Sequence, residues 1–395
     1  MTIPLRVEEM AHGGDGLGRH DGLAVFVPGA MPGDLVRVEI TEERPRFARG
    51  RVIELLDPSP DRIEPPCPHL ADGCGGCPWQ AAGHPAQLRW KQRTVRSQLA
   101  HLGDIHDAEV RPIDPASPAF GYRNRMDLRV SGGRPALAAA RSHDLVELDL
   151  CLLPVEPLQR VIRRLDGLAG LRRLTLRAGV ASGETVAIVD GDPPADASDR
   201  WGIPVRAPAA ARIHEEVAGV RFRIGGRAFF QVSTPGARRL VHHVDLALAG
   251  AEGVLLDGYA GVGLFAATVG RRFGAVTAVE SDRRAVDDLG HNTDGRVTVV
   301  GRRLEEAVAG LGRFEAAVVD PPRAGLGPGV PECLAAAGVR WLAMVSCDPA
   351  TFARDARRLV TAGFVLEWVQ PLDLFPQTYH VEIVARFTRA GAVGA

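Results

Sequence analysis

The sequence predicts a multidomain protein: a small amino-terminal β-barrel, a central α+β unit organised by cysteines, and a carboxy-terminal wound α/β domain. Three observations carry this expectation. Short alternating strands with Gly- and Pro-rich turns occupy the first 56 residues, cysteines cluster after a Pro-rich joint, and apolar strands alternate with helical stretches from Gly253 onward. A chain of 395 residues is also long for one core. The divisions expected are 1–56, 57–225 and 226–395. A hydrophobic content of 46% suits a soluble globular protein. No window approaches a membrane-spanning apolar run, and the amino end lacks a basic-then-apolar leader, so a cytoplasmic location without membrane contact is expected. The net charge of −1 neither advertises nor excludes nucleic-acid binding, since an average hides local patches. Lys91 is the sole lysine among 47 basic residues, an arginine bias that suits phosphate and base contacts.

In the first unit, Leu5 to Glu8, Leu23 to Pro28, Leu35 to Thr41 and Arg49 to Leu55 read as strands. Small barrels of this kind commonly bind single strands through a charged groove. Beyond Pro58, Pro60, Pro65 and Pro66 come Cys67, Cys74 and Cys77, the last two separated by Gly-Gly. Six cysteines in a cytosolic chain point to metal ligation or catalysis rather than disulfides. Three clustered thiolates call for a fourth ligand, and Cys151 is the candidate. Zinc and an iron-sulfur cluster both fit. Residues 85–102 carry a helical pattern with Leu88, Val95 and Leu99 on one side and Arg89, Lys91, Arg93 and Arg96 on a solvated basic remainder. GYRNRMDLRV (121–130) predicts a strand with Arg123, Arg125 and Arg129 on one face, a candidate RNA-contact surface. Residues 160–225 reveal no chemistry.

In the third unit, VLLDGYAGVGLFAATVG reads as a buried strand, a turn through Gly258, Gly261 and Gly263, and a helix. Glu280 ends the next strand, where a carboxylate can bind both hydroxyls of a ribose. An adenosine-containing cofactor follows, and a methyl donor is preferred over NAD or ATP because the full dinucleotide glycine pattern is missing. Asp320-Pro-Pro-Arg closes a further strand, in a pattern that recurs where methyltransferases hold a planar base. In MVSCDPATFARD, Cys347 follows an apolar strand and precedes a helix start that Asp348 can cap, so the helix amides would favour a thiolate. Glu382 lies within the apolar strand VEIVA, and a buried carboxylate is costly unless it is paired or has a task. Cys333 reads as core.

The stretch AHGGDGLGRHDGLAVFVPGAMPGDLVRVEI resembles the TRAM domain, an RNA-binding barrel. With DPPRAGL, SCDPATFARD and FPQTYHVE in order, nearly the whole chain resembles the RNA uracil-C5 methyltransferases, in particular the branch with a TRAM domain and a 4Fe-4S cluster that acts on 23S ribosomal RNA. The resemblance implies a class I, Rossmann-like catalytic domain using S-adenosylmethionine, with Cys347 as nucleophile and Glu382 as base. It further implies cofactor contacts from Gln231, Tyr259, Gly261, Gly263, Glu280 and Asp320, and cluster ligation by Cys67, Cys74, Cys77 and Cys151. RNA is the partner implied; no obligate protein partner is. Three positions depart from the family pattern. Asp348 stands where Asn is usual, and its carboxylate would raise the thiol pKa unless the helix start offsets it. Ser233 replaces another Asn, and six residues instead of five separate Cys67 from Cys74. The same chemistry on a tRNA T-loop uridine, a non-catalytic RNA-binding protein, and a zinc-containing cytosine or DNA methyltransferase are the competing readings.

Overall fold

The computed structural model describes residues 1–389, so the last six residues of the unit read as 226–395 lie outside it. The first unit is a closed barrel of β1 (Thr2–Met10), β2 (Gly16–His20), β3 (Leu23–Val27), β4 (Leu35–Arg44) and β5 (Phe47–Asp57), in the order β1-β2-β3-β5-β4. Alternation along β1 buries Ile3, Leu5 and Val7 against Val25, Val36 and Val38. Strand β2 escaped the sequence reading because its run, GLGRH, is poor in apolar residues. The glycine is a steric necessity: a β-carbon on Gly18 would meet the carbonyl of Arg6 in the neighbouring strand.

Helix α1 (His84–His101) follows, with Pro85 in its first turn. Val95 and Leu99 are buried as expected, but Lys91 is also wholly buried rather than solvated. The short strand β6 (Glu109–Val110) comes next. A six-stranded sheet then forms from β7 (Arg125–Ser131), β8 (Arg134–Ala138), β9 (Leu145–Glu147), β10 (Leu171–Ala178), β11 (Thr185–Gly191) and β12 (Val205–Arg206), in the order β12-β11-β10-β7-β8-β9. Helices α2 (Glu156–Ile162) and α3 (Ala197–Trp201) share its core, where Leu158, Ile162 and Trp201 pack with Leu174 and Leu176. A hairpin of β13 (Arg212–Val217) and β14 (Val220–Gly225) precedes α4 (Thr234–Ala247).

The wound α/β unit is built from β15 (Val254–Gly258), α5 (Leu264–Ala267), β16 (Ala275–Val279), α6 (Arg283–Asn292), β17 (Thr298–Val300), α7 (Leu304–Ala307), β18 (Ala316–Val319), α8 (Val330–Ala336), β19 (Trp341–Ser346), α9 (Pro349–Thr361), β20 (Val365–Leu372) and β21 (Glu382–Thr388). Its sheet has the order β17-β16-β15-β18-β19-β21-β20-β6. The first five strands run parallel and read as nearly continuous apolar runs, as expected of a sheet covered on both faces. Strand β21 runs antiparallel to both β19 and β20. Two pieces of the stretch 57–225 pack with this sheet rather than with the cysteine unit. Strand β6 extends its edge beside β20, and the β13–β14 hairpin buries Ile213 and Phe222 in one core with Leu240 and Leu255. Among the described residues no helix is long and apolar enough to cross a membrane.

Candidate active site and cysteine centre

Parallel strands gather their carboxyl ends at one edge of a wound sheet, and the residues that break the apolar runs collect there. Asp257 lies near the end of β15, Glu280 just past β16, Asp320 just past β18 and Cys347 just past β19. Glu382 reaches the same edge by the opposite route. Because β21 runs antiparallel to β19, with Ser346 opposite Ile383, its first residue faces the end of β19. Glu382 is also opposite Leu372 of β20 and is buried. Cys347 and Glu382 are therefore brought together as the sequence implied.

Their charges oppose each other. Burial pushes the Cys347 thiol up to about 11, helped by Glu382 and Asp320; Arg323 pulls it down through its charge and a hydrogen bond to the sulfur. Burial and Asp320 raise the Glu382 carboxyl well above its usual range, against Arg323. Against the expectation that the helix start would favour a thiolate, the thiol is raised, because burial and the two carboxyls outweigh Arg323. Asp348 does cap α9, its Oδ1 accepting from the Thr351 amide at 2.8 Å, with Pro349 in the first turn. After burial, the groups that raise the thiol pKa most are Glu382 and Asp320. The other Asp348 oxygen, Oδ2, lies 3.3 Å from His12 Nε2. Burial would raise Asp348, but His12 and the Thr351 amide hold it well below the usual carboxylate range.

Three carboxyls line the neighbouring strand ends. Asp257 is fully buried, with Oδ2 accepting from the Ala266 amide at 2.8 Å and Oδ1 unpartnered. Burial, against the Ala266 amide and with Asp320 and Glu280 nearby, pushes it up to about 8. Burial likewise raises Asp320 to about 7. Glu280 ties the glycine turn together: its Oε2 accepts from Gly261 N at 2.8 Å, and its Oε1 from Ser281 N and Asp282 N at 2.6 and 2.7 Å. Three of about four acceptor positions on the carboxylate are used. Gly261 and Gly263 take positive φ in the turn, and Tyr259 does so too, at 61°. The Tyr259 hydroxyl donates to Glu305 at 2.9 Å and accepts from Gly327 N at 3.2 Å. Gln231 is buried, its carbonyl accepting from Asn124 Nδ2 at 3.2 Å. Ser233 caps α4 and hydrogen-bonds Ser117 Oγ at 2.6 Å, so the departure from Asn serves packing between segments.

Cys67, Cys74, Cys77 and Cys151 all line one small cavity, walled otherwise by leucines such as Leu137 and Leu148. Burial, then the neighbouring thiols, push Cys77 up to about 12. Burial, opposed by the Leu153 backbone and helped by Cys67 and Cys74, takes Cys151 to about 11. Four thiolates in an apolar wall are untenable without cations, and this donor chemistry fits a metal centre with sulfur ligands. No three His, Cys, Asp or Glu among the described residues are grouped as a single-ion site.

The arginines read as one basic face separate. Arg123 precedes β7 and bridges to Ser233 and Pro154. Its Nε is buried without a partner. Arg125 is on β7 but is clasped by Asp127, the next residue on its face, at 3.0 Å, and also donates to Ala228 O at 3.3 Å. Its charge is spent within the protein, so the uniform basic strand is not formed. Sequence reasoning missed Asp257, Arg323 and His12. The first two were signalled by a polar residue closing VLLD and by the arginine after Asp-Pro-Pro; nothing local signalled His12.

The TRAM domain family matches residues 1–53. An uncharacterized RNA methyltransferase of Gloeobacter violaceus is 35% identical, over 98% of this chain and 97% of the relative. Another, from Streptomyces coelicolor, is 34% identical over 96% and 91%. Among solved structures, the Pyrococcus abyssi tRNA (uracil-54, C5)-methyltransferase in complex with S-adenosyl-L-homocysteine superposes with a TM-score of 0.77 at 25% identity, covering 98% of this chain and 99% of that one.

Proposed function

Since this chain belongs to the RNA methyltransferases and opens with a TRAM domain, we propose that it methylates C5 of a uridine in RNA, with 23S rRNA as the preferred substrate. The observation that carries this reading is the meeting of Cys347 and Glu382 across β19 and β21, beside the acidic strand ends. C5 of uracil is too weakly nucleophilic to take a methyl group unaided. The Cys347 thiol gives up its proton to solvent, its sulfur adds to C6, the C5–C6 π electrons pass into an enolate over C5 and O4, and C5 becomes the nucleophile. S-adenosylmethionine, when bound, supplies the methyl group as an electrophile. Glu382 then takes the proton from C5, the C5–C6 double bond re-forms, and the sulfur leaves as thiolate. Arg323 stabilises the sulfur anion at both ends of the cycle.

Asp257, Glu280 and Asp320 favour a cationic donor over an anionic cofactor such as NAD. Gly261, Gly263 and Gln231 would hold it with them, and Tyr259 would contribute its ring, its hydroxyl being committed elsewhere. Cys67, Cys74, Cys77 and Cys151 would ligate a 4Fe-4S cluster with a structural rather than redox role. Arg123 keeps a place as an RNA contact. A target uridine must leave its stack to reach Cys347, so the barrel and cysteine unit would hold flanking RNA. The TRAM domain with four cysteines favours rRNA; the likeness to a tRNA (uracil-54, C5)-methyltransferase favours a tRNA T-loop as the second reading.

The test is methyl transfer from labelled S-adenosylmethionine to fractionated RNA of a deletion strain. 5-Methyluridine in large-subunit rRNA, absent with Cys347→Ala, is expected. Label in tRNA would replace the substrate, and unchanged transfer by Cys347→Ala would end the proposed mechanism.

A further inference from the structure

The β1–β2 loop of the barrel, Ala11 to Asp15, is a tight turn closed by Ala11 N to Asp15 O at 2.8 Å and Gly14 N to Ala11 O at 3.0 Å. It lies against the catalytic domain. Trp79 Nε1 donates to Gly14 O at 3.1 Å. Gly14 has no room for a side chain, since a β-carbon there would lie 2.5 Å from Cδ1 of Tyr379 in the FPQTYHVE segment. Asp15 is ion-paired with Arg141 and, at 3.6 Å, with Arg49. The loop is thus pinned from three sides, and its tip residue, His12, faces the residue that follows the candidate nucleophile.

Resting on Cys347 as that nucleophile, we propose that His12 is a positioning residue. It holds the Asp348 carboxylate outward and so couples docking of the barrel to the reactivity of the neighbouring sulfur. An Asn at this place needs no partner to hold a charge away from the sulfur; an Asp beside a sulfur that must become anionic does. Both oxygens of Asp348 are engaged, Oδ1 by the Thr351 amide at 2.8 Å and Oδ2 by His12 at 3.3 Å. These two partners fix the carboxylate's orientation. The charged groups that act on Cys347 are Glu382, Asp320 and Arg323. Those that act on His380, which also faces Asp348, are Arg323, Lys91 and Arg123. The barrel in this reading is part of the active site's electrostatics as well as an RNA anchor.

The experiment is limited carboxamidomethylation of the anaerobically purified full-length holoenzyme with iodoacetamide, followed by mass spectrometry of the peptide holding Cys347. His12→Ala is expected to slow labelling of Cys347 about twofold to fivefold, the range for a part-exposed pair. His12→Gln keeps a donor and is expected to restore most of the rate. In an Asp348→Asn background, His12→Ala is expected to change nothing. Equal slowing in the Asp and Asn backgrounds, or none in the Asp background, would overturn the proposal. A parallel rise at Cys333, on α8, would indicate general loosening and would also count against it. Labelling reads the sulfur whether or not turnover depends on it, so methyl transfer by Cys347→Ala decides the nucleophile reading separately.

Discussion

Burial and Asp320 raise the Glu382 carboxyl well above its usual range, so in the proposed mechanism it acts as a base only when its surroundings change. While Cys347 is free, the sulfur and Glu382 compete for one negative charge. Once the sulfur is bonded to C6 that competition ends and Glu382 can ionise. Glu382→Gln is therefore expected to form the adduct but not resolve it, lowering turnover about 10²- to 10⁴-fold. A covalent protein–RNA band on a denaturing gel should accumulate. The acidic strand ends give a second expectation. Asp257 and Asp320, raised to about 8 and about 7, are largely neutral below those values. A cationic donor favours their ionised forms, so binding releases protons and affinity for S-adenosylmethionine should rise with pH. A gain of roughly threefold to tenfold between pH 6.5 and 8.5 is expected by calorimetry; a flat profile would show that these carboxyls do not face the donor. The places of Cys347 and Glu382 were legible in the sequence because one follows an apolar run and the other interrupts one. His12 was not, because its meaning depends on a partner in another domain.

At the level of elements, helix α1 holds the segment that leads into Glu382. Lys91 Nζ donates to Asp373 Oδ1 at 2.5 Å and to Phe375 O at 3.0 Å, and His84 Nε2 lies 2.8 Å from Asp373 Oδ2. Gln87 adds a reciprocal pair with Gln377, at 2.9 Å in each direction. Burial opposes the charge on Asp373, yet Lys91 and His84 together hold its carboxyl below its ordinary range. Lys91→Met removes one partner of a buried pair and is expected to cost about 3 kcal/mol. Urea unfolding would measure it; a change under 1 kcal/mol would mean that His84 alone suffices. The periodicity of residues 85–102 predicted this helix almost to its ends. It misplaced Lys91, because a charged residue on a helix reads as solvated until its countercharge, here from a distant loop, is in view. Strand β2 was missed for the complementary reason: its glycines answer a close approach between strands, which no local pattern records.

On the scale of the whole molecule, the cysteine cavity and the active site are joined through the loop before β21. Tyr122, buried in the core that includes Cys74, Cys77 and Cys151, donates to Pro376 O at 3.2 Å. On the proposed ligation of a cluster by these cysteines, Cys77→Ser is expected to lower iron content and visible absorbance and, by loosening that loop, to reduce methyl transfer more than donor affinity. Intact activity in an iron-free variant would sever the link. The barrel and the wound sheet were legible in composition and turn chemistry, whereas the joins were not: β6 pairs with β20 and the β13–β14 hairpin packs with the sheet's core, which periodicity cannot report. A further join, between α1 and the loop before β21, bears on how the protein is made. Lys91 and Asp373 are 282 residues apart. At about 5–20 residues per second, a ribosome would expose the finished barrel and α1 for roughly 15–60 s before the carboxylate emerges. Until then the lone lysine stays in water, and the nascent chain carries an open seam that only the last strands of translation can close.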